Sequence, residues 1–74
     1  MGASFYVKVN GIIYEVIPEE NHTYTIFKWG AEYTQIMRNK NSKWMRIDYK
    51  TDMPIVEVND EVEDIGKAID QYFT

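Results

Sequence analysis

The sequence predicts an α+β fold. It reads as an antiparallel meander of five or six strands, packed on one face by a single C-terminal amphipathic helix in the order β-β-β-β-β-α. Three observations lead there. Short runs of β-branched and aromatic residues alternate with polar ones up to Tyr49, and turn-forming residues separate them. Asn10-Gly11 stands between the first two runs, and both residues tolerate the positive φ of a tight hairpin turn. Only the tail, from Asn59 onward, repeats apolar residues at helical spacing.

The first run, Ser4–Val9, pairs with Ile12–Ile17 across that turn. A two-residue loop sets Val9 opposite Ile12, Val7 opposite Tyr14 and Phe5 opposite Val16, giving one apolar face. The reverse face, with Tyr6, Lys8, Ile13, Glu15 and Ile17, is mixed. Pro18–His22 is polar and opens with a residue that cannot donate to a ladder, so the sheet pauses there. Thr23–Lys28 forms the third strand and Glu32–Arg38 the fourth, turning at Gly30. Two registers are open: a two-residue Trp29-Gly30 loop sets Ile26 opposite Tyr33, and a three-residue loop shifts the pairing. Asn39–Ser42 turns the chain into the fifth strand, Lys43–Tyr49. Ile55–Val58 either forms a short sixth strand or leads into the helix. In the helix, Val62, Ile65, Ile69 and Tyr72 share a stripe, with Ala68 and Phe73 beside it. Asn59 or Asp60 caps its start, and Asp60 with Glu63 has the spacing of a capping box. Gly66 costs about 1 kcal/mol relative to alanine in mid-helix, which suggests close approach to the sheet.

A chain of 74 residues is expected to form one domain spanning 1–74. At this size only about 60% of the unfolded surface is buried, so the margin of stability is small. Cysteine is absent and His22 is the one histidine, so neither a disulfide nor an ordinary zinc site adds to it. Six tyrosines, three phenylalanines and two tryptophans supply the packing area instead. No apolar run approaches the ~20 residues of a membrane span. The segment MGASFYV lacks the basic and apolar regions of a leader. These features lead to the expectation of a cytoplasmic protein.

Sequence chemistry gives little sign of catalysis. Ser4 and Ser42 have no base at a motif spacing, and the glycines Gly2, Gly11, Gly30 and Gly66 form no phosphate loop. Hence no enzyme, cofactor or metal is expected. The acidic tail fails the spacing of a calcium loop.

A helix of about 14 residues is about 21 Å long and covers one face of a sheet, not both. Two apolar sets compete for it. Phe27, Ile36, Met45, Ile47 and Tyr49 are expected beneath the helix, leaving Tyr24, Ile26, Tyr33, Met37 and Trp44 on the far side. Tyrosine and tryptophan suit a half-wet contact surface. The leading expectation is therefore a small non-catalytic protein-binding or regulatory module. Its aromatic sheet face would serve association with an unknown protein or with a second copy through Tyr24, Tyr33, Met37, Trp44 and Arg46. Trp29 at a loop tip either folds back onto the sheet or anchors a contact.

Charge supplies two alternatives. Residues 1–50 carry +2 and residues 51–74 carry −6. An acidic inhibitor or nucleic-acid mimic would act through the helix, with Asp60, Glu61 and Asp64. The hairpin 38–50 gathers Arg38, Lys40, Lys43, Arg46 and Lys50 around Trp44, the combination of stacking ring and cations used by single-strand binders. A net charge of −4 and a pI near 4.8 argue against nucleic acid, whose affinity rests on phosphate neutralisation.

Overall fold

The computed structural model describes Ala3–Thr74; Met1 and Gly2, the start of the segment read as leaderless, lie outside the described residues. Five antiparallel strands form one meander sheet: β1 (Phe5–Val9), β2 (Ile12–Pro18), β3 (Thr23–Lys28), β4 (Ala31–Arg38) and β5 (Trp44–Ile47), followed by the helix α1 (Asp60–Tyr72). This is the α+β arrangement the sequence predicts. The first hairpin has the expected register, Phe5 to Val16, Val7 to Tyr14 and Val9 to Ile12. Its turn has φ of 51° at Asn10 and 82° at Gly11, the left-handed pair that matches the twist of the flanking strands.

The sheet is a trough, not a flat platform. The helix backbone runs close to β1 on one side and to β4 and β5 on the other, with β2 and β3 farther beneath it. The overall extents are 27 × 24 × 24 Å. Strand twist supplies part of the curvature. A β-bulge supplies more: Ile26 pairs with Thr34 and Phe27 with Glu32, so Tyr33 is the extra residue on β4.

Inside the trough lies the core. Phe5, Val7, Tyr14, Val16, Ile26, Ile36 and Trp44 from the sheet meet Val62, Ile65 and Ile69 from the helix. Each fully buried aliphatic side chain of this kind contributes about 1.5–3 kcal/mol through removal from water. Tyr24 and Ala68 pack at the margin.

This core corrects the assignment of faces in strands three to five. Cross-strand partners share a face, and Val16, in the trough, pairs with Ile26. Ile26 therefore faces the helix, as do Tyr24 and Trp44, whereas Phe27, Met45 and Ile47 lie on the outer surface. Two of the side chains also change sets. The bulge at Tyr33 brings Ile36 opposite Tyr24, inside, and Met37 opposite Thr23, outside. Tyr49 belongs to neither face; it lies beyond β5 and is exposed.

Two terminal details also differ. Ile55–Val58 does not extend the sheet as a sixth strand. Pro54 bridges to Ile47, and the Ile55 N–H donates to the Arg46 carbonyl at 2.8 Å, after which the chain leaves the sheet. The helix is capped by Asn59, whose Oδ1 accepts from the Val62 N–H at 3.1 Å. The Asp60–Glu63 capping box does not form, because the Glu63 N–H donates to the Asn59 carbonyl. Asp60, Glu61 and Glu63 sit in the first turn, favoured by the positive end of the helix dipole.

Candidate functional site

The five residues expected to form one aromatic surface are dispersed. Trp44 is 5% exposed and lies beneath the helix, against Gly66. Tyr24 leans on it, ring centroids 5.6 Å apart. Met37 is on the opposite side of the sheet. Tyr33 and Arg46 face the trough rim, and both hold acids of the C-terminal segment. The physical reasons are the β2–β3 register, which turns Tyr24, Trp44 and Arg46 to the inner face, and the bulge at Tyr33, which turns Met37 to the outer one.

The rim contacts are specific. Glu61, in the first turn of α1, turns inward and accepts from Tyr14 Oη at 2.5 Å, Tyr33 Oη at 2.6 Å and Lys28 Nζ at 2.9 Å. Burial alone would raise the Glu61 carboxyl, but three donors outweigh it and hold it at about 2. The same contact pushes both phenols up: burial first and then the Glu61 hydrogen bond for Tyr14, the Glu61 hydrogen bond first for Tyr33. The Lys28 ammonium also lies 4.6 Å from the Tyr33 ring centroid and 4.9 Å from that of Trp29. Arg46 grips Glu57 through Nε at 2.6 Å and Nη2 at 3.0 Å, a two-pronged pair that keeps the Glu57 carboxyl at about 2. These groups fasten the helix entrance to the sheet. The carboxylate they surround already has its donors.

That placement bears on the two charge-based alternatives. Of Asp60, Glu61 and Asp64, only Asp60 is exposed; Glu61 is committed to the sheet, and half-buried Asp64 accepts a long 3.4 Å hydrogen bond from Asn10. In the basic hairpin, Arg38 pairs with Asp70 at 2.8 Å and Arg46 with Glu57. Trp44, the ring assigned to base stacking, is in the core. Among the described residues no three His, Cys, Asp or Glu side chains gather in a way that could hold a metal ion. Nor, among those residues, is any helix long and apolar enough to cross a membrane.

The surface that sequence reasoning missed is the edge of β1. The two sheet edges are treated differently. Along β5 the segment Met53–Ile55 folds back and adds two rungs, Asp48 N–H to Met53 O at 2.9 Å and Ile55 N–H to Arg46 O at 2.8 Å. Beside β1 no strand lies among the described residues. In a two-residue hairpin the pairs Val9–Ile12, Val7–Tyr14 and Phe5–Val16 exchange the inner hydrogen bonds, so Tyr6 and Lys8 direct their N–H and C=O groups outward. Large apolar side chains flank this row on both sides. Tyr6 (65% exposed) and Ile13 lie on the outer surface, and Tyr72 and Phe73 (61%) on the helix side. The latter two are held by Phe5, which stacks on Tyr72 at 3.9 Å and meets Phe73 edge-on at 5.3 Å. Meander topology was the available signal, because the first strand of a meander is an edge.

Fold and edge together define a curled sheet closed by one helix, with one edge covered and the other unpaired among the described residues. Comparison with known proteins gives no match to a family model, a curated protein or a solved structure.

Proposed function

We propose that this protein is a small, non-catalytic protein-association module that accepts an extended strand along β1. One observation carries the reading: the outward backbone row of Tyr6 and Lys8 is unpaired among the described residues, while Tyr6, Ile13, Tyr72 and Phe73 are exposed around it. Strand addition gains main-chain hydrogen bonds from such a row and specificity from the side chains beside it. Bare edges of this kind invite pairing unless charge or proline blunts them, and Lys8 is the one charge on β1. As part of the same proposal the module works in the cytoplasm, where a chain without cysteine loses nothing to a reducing environment.

The test is a titration of isotope-labelled protein with a synthetic peptide of residues 4–10, SFYVKVN, followed by amide chemical shifts. The expected result is saturable shifts that begin at Tyr6 and Lys8. Tyr6→Pro removes one outward N–H without touching the β1–β2 ladder, and it should abolish those shifts while the thermal transition is retained. Shifts centred elsewhere, or a Tyr6→Pro variant that binds the peptide as well as the parent does, would overturn the proposal.

A further inference from the structure

We infer that the strand taken up by β1 is the β1 of a second copy, paired antiparallel about a two-fold axis at Val7; this rests on the reading of β1 as an accepting edge. Chemistry selects both the occupant and the register. An antiparallel pair must match outward-facing residues with outward-facing residues, so Tyr6 and Lys8 can only pair among themselves and with the next outward position, Ser4. Centring on Val7 aligns the five residues of β1 over their full length and sets Tyr6 opposite the partner copy's Lys8, twice. Each ammonium then lies beside a tyrosine ring, an attractive contact. Centring on Lys8 would instead place two ammonium groups directly opposite, which is repulsive. Centring on Tyr6 avoids that clash but leaves each Lys8 opposite serine, with no ring beside it.

The helix side of the edge agrees. Phe5 falls opposite the partner copy's Val9, so the Phe5–Tyr72–Phe73 cluster of one molecule abuts the half-buried Val9 end of the other. The axis repeats that contact, as an isologous interface requires. Area sets the scale. The monomer exposes 5315 Å², and covering about a tenth of it on each copy reaches only the lower end of what specific interfaces bury. The dimer is therefore small in interface and concentration-dependent, and its sheet has ten strands.

Sedimentation equilibrium of the full chain from about 1 to 500 µM, a range chosen for an interface of that size, is the first test. The parent should shift from monomer to dimer within it, and Tyr6→Pro should remain monomeric. Register is tested separately, since the chain has no cysteine of its own. An oxidised mixture of Tyr6→Cys and Lys8→Cys proteins should form a covalent dimer at least tenfold more efficiently than either protein alone. A parent that is monomeric throughout overturns the inference. If it still binds the peptide of residues 4–10 at Tyr6, the accepting edge stands and a folded second copy is not its occupant; if it does not, both fail. A dimer that survives Tyr6→Pro, or crosslinks of equal yield from each single variant, also overturns it.

Discussion

Gly66 lies directly against the indole of Trp44, so close that a Cβ on Gly66 would overlap the base of the ring at Cγ, Cδ1 and Cδ2. The contact is how a helix crosses a trough whose far wall carries a tryptophan: the smallest residue of α1 faces the largest residue of β5. Those ring atoms are next to the backbone and cannot swing aside as a chain end can. Gly66→Ala gains about 1 kcal/mol of helix propensity but overpacks the core, which typically costs about 1–3 kcal/mol. The net expectation is destabilisation, read as a lower urea midpoint with an unchanged slope. Trp44→Ala should cost about 3–5 kcal/mol through the cavity it leaves, so it unfolds the protein and does not merely weaken a contact surface. The pair Gly66→Ala with Trp44→Leu should cost less than the sum of the single changes.

Acid should loosen the helix entrance through Glu61. Its carboxyl has an ordinary value of 4.5 and is held at about 2 in the fold. A lowered folded value means stability that is present above pH ~4.5 and is lost as pH falls toward ~2. With the carboxylate partly reached by solvent, the amount is about 1–2 kcal/mol. Glu61→Gln should flatten the dependence of the urea midpoint on pH in that window, leaving the part due to Glu57, which titrates in the same range. At the other end the sign reverses. Tyr14 and Tyr33 are raised above 10, so their contribution is present below pH 10 and lost above it. Phenolate absorbance should rise at lower pH in Glu61→Gln than in the parent.

These two sites show where sequence reasoning succeeds and where it stops. Asn10-Gly11 fixes its hairpin locally, so Phe5, Val7, Tyr14 and Val16 could be placed on one face from the sequence alone. Alternation in β3 and β5 likewise separates Ile26 from Phe27 and Trp44 from Met45. It does not say which set meets the helix. That depends on Val16 pairing with Ile26 across the loop Glu19–His22, a contact set by the geometry of Asn21 and His22, both at φ 58°. Nor does period-two alternation reveal a bulge, which shifts everything after Tyr33 by one residue. Glu61 reads as one more first-turn acid; only the curl of the sheet brings Tyr14, Lys28 and Tyr33 to it.

Trp29 neither folds onto the sheet nor lies in a relaxed turn. It is 80% exposed with φ of 54°, beside Gly30 at 79°. That left-handed geometry costs an ordinary side chain about 1–2 kcal/mol. The Lys28 ammonium over its ring returns about 0.5–1 kcal/mol. Asparagine before glycine is the favoured choice for this turn. Trp29→Asn is therefore expected to leave stability unchanged or raise it by up to about 1 kcal/mol, measured as the thermal midpoint. A loss of more than that would mean that the ring packs in solution.

Deleting Tyr33 should be tolerated, although it shortens a central strand. Tyr33 is the surplus residue of β4: Glu32 pairs with Phe27 and Thr34 with Ile26 on either side of it. Its removal converts the bulge to a regular ladder and leaves Ile36 opposite Tyr24, still beneath the helix. The costs are one hydrogen bond to the Glu61 carboxylate, about 1.5–3 kcal/mol for a charged acceptor, and some of the local twist that curls the sheet. Inserting a residue after Gln35 has no such slack to absorb it. It would seat the inserted residue in the buried place opposite Tyr24, turn Ile36 to the outer surface and bring Met37 to the inner position that Arg38 holds. Near-ultraviolet circular dichroism of Trp44 distinguishes the two variants: the buried-indole signal should persist in the deletion and vanish in the insertion.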